Sequence, residues 1–95
     1  MAPSLAAPVL TAPTGTATNP VTISWQAVSG AASYQAWVSD LTAHIDYAFF
    51  QAGLTLTSIQ LNPLPVGHLY RLMVRAVDAG DNPGPWAAAL LTVTG

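Results

Sequence analysis

The sequence predicts an all-β fold, a seven-stranded antiparallel sandwich of two sheets, and three observations carry that expectation. Apolar and polar residues alternate over short runs, as in Val21-Thr22-Ile23-Ser24-Trp25-Gln26, while no segment holds a helical period. Turn signals rich in Gly, Pro, Asn and Ser recur at roughly the 8–12-residue spacing of short sandwich strands. The run Leu64-Pro65-Val66-Gly67-His68-Leu69-Tyr70 reads as a tyrosine corner, with a Leu, a Gly three residues on and a Tyr three further on ahead of an alternating strand. The hydroxyl of such a tyrosine reaches back to the main chain upstream and fixes the register of the strand that follows.

Each element follows from local chemistry. Pro3, Pro8 and Pro13 punctuate the first segment, and proline is tolerated on edge strands, so 9–12 is expected as a short edge strand. Residues 14–19 have turn composition. The strand 21–26 should send Ile23 and Trp25 into the core. After a turn at 29–32, the strand 33–40 should bury Tyr34, Ala36 and Val38 and turn Gln35, Trp37 and Ser39 outward. Residues 45–51 form a further β-prone run that Gly53 breaks, and 55–61 should bury Ile59 and Leu61. The strand 68–78 should point Tyr70, Leu72, Val74 and Ala76 inward and Arg71, Met73, Arg75 and Val77 outward. A Gly/Pro-rich loop over 79–85 leads to a last strand, 86–94, with Leu91 and Val93 inward. The expected core is Ile23, Trp25, Tyr34, Val38, Ile59, Leu61, Leu64, Tyr70, Leu72, Val74 and Val93.

Composition narrows the function. The 95 residues suit one domain, and of the 52% apolar residues seventeen are Ala, which leaves enough large side chains for one core and too few for two. Charge is scarce: two Arg, four Asp, no Lys and no Glu make 6% of the chain, against about 25% in ordinary soluble domains. A net charge of −2 offers no basic patch for phosphates or for an anionic membrane surface, so neither nucleic acid nor membrane insertion is expected. Solubility rests on Thr, Ser, Gln and Asn, a surface that admits self-association. No cysteine is present, so disulfides and thiolate metal sites are unavailable.

Four features together resemble a fibronectin type III domain from about residue 8 to 93: Trp25 in an early strand, Tyr34 in the next, and Leu64 and Tyr70 at the corner. The run Val74-Arg75-Ala76-Val77 ahead of Gly84-Pro85-Trp86 is similar to bacterial members found in exported multi-domain proteins, including polysaccharide-degrading ones. The resemblance implies an immunoglobulin-like sandwich of fibronectin type III topology, with 9–12, 21–26 and 55–61 in one sheet and 45–51, 33–40, 68–78 and 86–94 in the other. It implies one module, 1–95, within a longer extracellular or cell-surface chain. Its role would be a non-catalytic spacer or protein-interaction domain with neighbouring domains as partners, and no cofactor. The family's integrin-binding Arg-Gly-Asp is absent, since the corresponding loop reads Ala79-Gly80-Asp81-Asn82. So is the Ser-rich tryptophan motif of cytokine receptors, because Trp86 is followed by Ala87-Ala88.

Candidate chemistry is sparse. His44 and Asp46, two apart, would share a strand face, but two ligands do not make a metal site, and a solvated edge is expected. Ser39, His44 and Asp46 lack the turn and oxyanion hole of a hydrolase. Asp78, Asp81 and Asn82 match no calcium loop and suit Asx turns. His68 is expected as a surface residue. The outward face carrying Trp37, Arg71, Met73, Arg75 and Trp86, with Phe50 beside it, is the candidate interaction face. An internal Arg–Trp ladder is one reading of it. A contact patch for another protein, for a second copy or for a glycan is the other. In the run Tyr47-Ala48-Phe49-Phe50, alternation buries Tyr47 with Phe49, or Phe50 alone, so at least one ring stays outside.

Overall fold

The computed structural model describes residues 5–12, 15–61 and 63–94. Among these residues there is no helix, and the chain forms two sheets packed as a sandwich. The strands are β1 (Leu10–Ala12), β2 (Gly15–Thr18), β3 (Thr22–Trp25), β4 (Ser33–Asp40), β5 (Ile45–Leu54), β6 (Ser58–Gln60), β7 (Leu69–Val77) and β8 (Ala87–Thr94). One sheet has the order β1-β3-β6, the other β2-β8-β7-β4-β5.

Two expectations are corrected here. Among the described residues there are eight strands rather than seven, and the larger sheet is mixed rather than wholly antiparallel. Residues 15–18, expected as part of a turn, form β2, which runs parallel to β8 with Ala17 opposite Val93. Thr14, the first residue of that expected turn, and Pro3 and Pro13 lie outside the described residues. The strand escaped the pattern because only Ala17 is half-buried, while Gly15, Thr16 and Thr18 face solvent and leave no apolar alternation to read. Gly15, the first residue of β2, has φ +77, a left-handed conformation that glycine adopts without strain.

The core lies between the sheets. Ile23, Trp25, Tyr34, Val38, Leu61, Tyr70, Leu72, Val74 and Val93 are buried as expected, and Val21, Ala36, Ala76 and Leu91 join them. Ile59 and Leu64 are half-buried and pack against this cluster from its margin. Trp25 meets Tyr34 edge-on with ring centroids 5.5 Å apart, the geometry favoured by aromatic quadrupoles. The Tyr34 hydroxyl accepts the Val28 N–H at 2.9 Å and so ties the loop after β3 to the core.

The corner closes as its sequence implies: the Tyr70 hydroxyl donates to the Pro65 carbonyl at 2.8 Å, and Gly67 turns at φ +84. A second clamp, unforeseen in the sequence, holds the same segment. The Asn19 side chain both donates to the Leu64 carbonyl (2.8 Å) and accepts the Leu64 N–H (2.9 Å).

β5 is longer than expected. Gly53 does not break it but sits in it at φ +73, where β5 spends one residue more than β4 between the pairs Tyr34–Leu54 and Ala36–Gln51, a glycine bulge. A second irregularity matches two steps along β4, from Val38 to Asp40, with four along β5, from Phe49 to Ile45.

Candidate functional site

The outer face of the five-stranded sheet is set by register. Antiparallel pairing of β4 with β7 places Gln35 opposite Arg75, Trp37 opposite Met73 and Ser39 opposite Arg71. β5 brings Phe50 opposite Trp37, and β8 brings Ala88 opposite Met73 and Leu90 opposite Arg71. The side chains so aligned form a connected row. The Arg75 guanidinium lies 4.4 Å from the Trp86 ring centroid, and its Nε donates to Gln35 Oε1 at 2.7 Å. Trp86 meets Trp37 edge-on at 5.7 Å, Trp37 stacks on Tyr47 at 4.9 Å with 16° between planes, and Tyr47 meets Phe50 at 6.2 Å.

One Arg–Trp contact of the kind a ladder would repeat is present, at Arg75 and Trp86. Among the described residues neither arginine pairs with a carboxylate. Arg75 uses an indole face and an amide instead, a cation–π contact of about 0.5–2 kcal/mol depending on desolvation. Arg71 stands apart from the ring contacts, with its Nε buried and unpartnered. Met73, expected to project, is only 8% exposed and forms the floor of the row. Val77, also expected outward, is buried where Pro83 returns to pair with it.

Tyr47 is the central ring that sequence reasoning missed. Simple alternation puts it on the same face as Phe49. The irregular register between Val38 and Asp40 instead leaves Phe49 half-buried against the core and turns Tyr47 out with Phe50, 66% and 45% exposed. The bend is held from below, because the Asp46 carbonyl accepts hydrogen bonds from both Trp37 Nε1 and Ser39 Oγ. No periodicity signals this.

The remaining candidate groups serve the scaffold. Ser39 is engaged with the Asp46 carbonyl rather than with a histidine. His44 lies in the turn before β5 at φ +58, off the strand on which it was to share a face with Asp46. Among the described residues no three metal-ligating side chains gather. Asp78 Oδ1 accepts the Gly80 and Asn82 N–H groups, each at 2.9 Å, which closes the 78–82 loop as an Asx-type turn. The Asn82 and Gly80 donors hold its carboxyl below the ordinary range.

His68 is not a simple surface residue. Its Nδ1 lies 2.8 Å from Asp40 Oδ2, its ring stacks on Tyr70 at 6.2 Å, and Asp40 Oδ1 accepts the Ala43 N–H at 2.9 Å. Asp40 is 3% exposed. Burial pushes its pKa up, but the His68 hydrogen bond, the Ala43 N–H, the charge of His68 and the Thr42 N–H together bring it below 3.8. Tyr70 is pushed the other way, by burial and by the negative charge of Asp40, and keeps its proton for Pro65. The signal was legible: Asp40 continues the inward set Tyr34, Ala36, Val38, and His68 precedes Tyr70 by two. Register then brings Asp40 opposite Tyr70.

Beside this pair, a groove of about 370 Å³ opens between β5 and residues 61 and 63–65, walled by Ile45, Phe49, Leu61, Leu64 and Pro65. Its volume falls in the range of small-molecule sites. Both Asp40 oxygens and the Tyr70 proton are already committed within the fold. No family model matches this sequence, and comparison with the curated proteins gives no match.

Proposed function

We propose that this chain is a non-catalytic structural module of fibronectin type III kind, a spacer or interaction domain within a larger exported or surface protein of bacterial type. The observation that carries the reading is where the reactive groups are used. Ser39, Asp40, His68, Tyr70 and Asp78 each hold a turn, a corner or a strand junction, so these five reactive groups are spent on rigidity. The Tyr70–Pro65 bond and the neighbour orders β1-β3-β6 and β8-β7-β4-β5 support the family reading, with β2 as an added strand. Location outside the cell rests on the resemblance of the Val74–Val77 and Gly84–Trp86 runs.

A glycan-binding accessory role is the second reading, favoured by the exposed Tyr47 ring. Its weakness is geometric. Sugar stacking calls for two free coplanar ring faces, yet Tyr47 itself covers a face of Trp37, and Arg75 lies over Trp86. A thermal-shift screen against neutral and acidic oligosaccharides and against calcium separates the two. A spacer melts at the same temperature throughout, whereas a saturable upward shift with any of these ligands overturns the spacer reading.

A further inference from the structure

We propose that a second copy of this chain docks on β5, the two strands pairing antiparallel across a two-fold axis at Phe50. This goes beyond the spacer reading, which needs no such partner. β5 is the edge of its sheet: among the described residues it pairs with β4, and its other side faces no strand. Open edges recruit further strands unless charge, proline, bulges or shortness blunt them. β5 is ten residues long, holds no Lys, Arg, Glu or Pro, and carries one charge, Asp46. The bulges flank a regular stretch at 49–51, where Phe49, Phe50 and Gln51 face Val38, Trp37 and Ala36 in unbroken register. Pairing centres there.

The chemistry of the edge selects its occupant. A basic strand would find one carboxylate, and an acidic strand would find no cation on β5, whereas a nearly neutral, aromatic-bearing strand fits it throughout. β5 is itself such a strand. With Phe50 opposite Phe50, Phe49 falls opposite Gln51, and the Asp46 of each copy lies toward the far end of the other's strand. The two carboxylates then lie at opposite ends of the ladder, whereas parallel in-register pairing would set them side by side, where like charges destabilise.

Magnitude fixes the strength of the contact. Ten strand residues span about 34 Å, and a strip about 10 Å deep, one sheet spacing, covers about 340 Å² on each copy. The total of about 700 Å² is below the roughly 1,200 Å² at which stable complexes begin. The dimer is therefore a weak one, monomeric at micromolar concentration and populated when copies are tethered at the millimolar effective concentrations of short linkers.

Sedimentation velocity over a series from micromolar to about 1 mM tests this on the parent chain, Phe50→Lys and Leu90→Ser. Leu90 is exposed and apolar but lies on β8, away from the edge. The parent and Leu90→Ser are expected to shift from monomer toward dimer together, with at least a tenfold weaker association in Phe50→Lys. Hydrogen exchange of the 49–51 amides should slow with concentration in the parent and in Leu90→Ser, and not in Phe50→Lys. Should Phe50→Lys fail to fold, Ala52→Lys reads the same edge. A parent that stays monomeric throughout overturns the pairing and leaves the spacer reading standing. Association lost in Leu90→Ser but kept in Phe50→Lys overturns it in favour of face packing on β8.

Discussion

At the scale of single residues, Tyr70 and Asp40 are buried polar groups held by hydrogen bonds, and each makes a stability prediction. The Tyr70 hydroxyl is buried against Pro65. Tyr70→Phe should lower the unfolding free energy by about 1–3 kcal/mol, the cost of leaving a buried acceptor unmet, as read from urea denaturation. An unchanged midpoint would remove the corner from the account of the fold. Asp40 makes a pH prediction. Its folded pKa is depressed below 3.8, so its stabilising contribution is complete above about pH 4 and is lost as pH falls through the lowered value. Melting temperatures should therefore fall on the acid side of pH 4, and Asp40→Asn should flatten that limb while lowering stability at neutral pH. A parental acid limb that persists in Asp40→Asn would shift the effect to another carboxylate, with Asp78 the next to test.

At the scale of elements, what was legible is what alternation and turn chemistry encode. The strands around Ile23-Ser24-Trp25, Tyr34–Val38 and Tyr70–Ala76 announce themselves because one face is buried and the other is not. β2 was hidden because its partner, β8, lies more than seventy residues away in sequence and its own side chains are small and wet. The orientation of Tyr47 was hidden for a different reason: an irregular register changes the face of a side chain without changing the sequence period. The candidate face was thus legible in Trp37, Arg75, Trp86 and Phe50. It was not legible in Tyr47, the ring that joins them. The Asn19 clamp belongs to this scale because it ties the entry to β3 to the segment leading into β7. Asn19→Ala strands both peptide groups of Leu64, half-buried as they are, and is expected to cost about 1–3 kcal/mol. Hydrogen exchange at Leu64 should quicken well before that at Leu72.

At the scale of the molecule, residues 10–12 and 15–18 are divided between the two sheets, β1 on β3 and β2 on β8. Because β2 and β8 run in the same direction, a tug upstream of Gly15 and downstream of Thr94 acts along the two strands in opposite senses. The hydrogen bonds from Gly15–Leu91 to Thr18–Thr94 are then loaded together, in shear. The β4–β5 hairpin, pulled at its open end, would instead peel one bond at a time. Force spectroscopy with handles on either side of the β2–β8 pair should record a higher rupture force than handles on the ends of β4 and β5. Equal forces would show that the core, and not the strand pair, resists the pull. A short strand invisible to hydrophobic patterning would thus serve as a mechanical latch of the fold, bearing tension applied across its two ends.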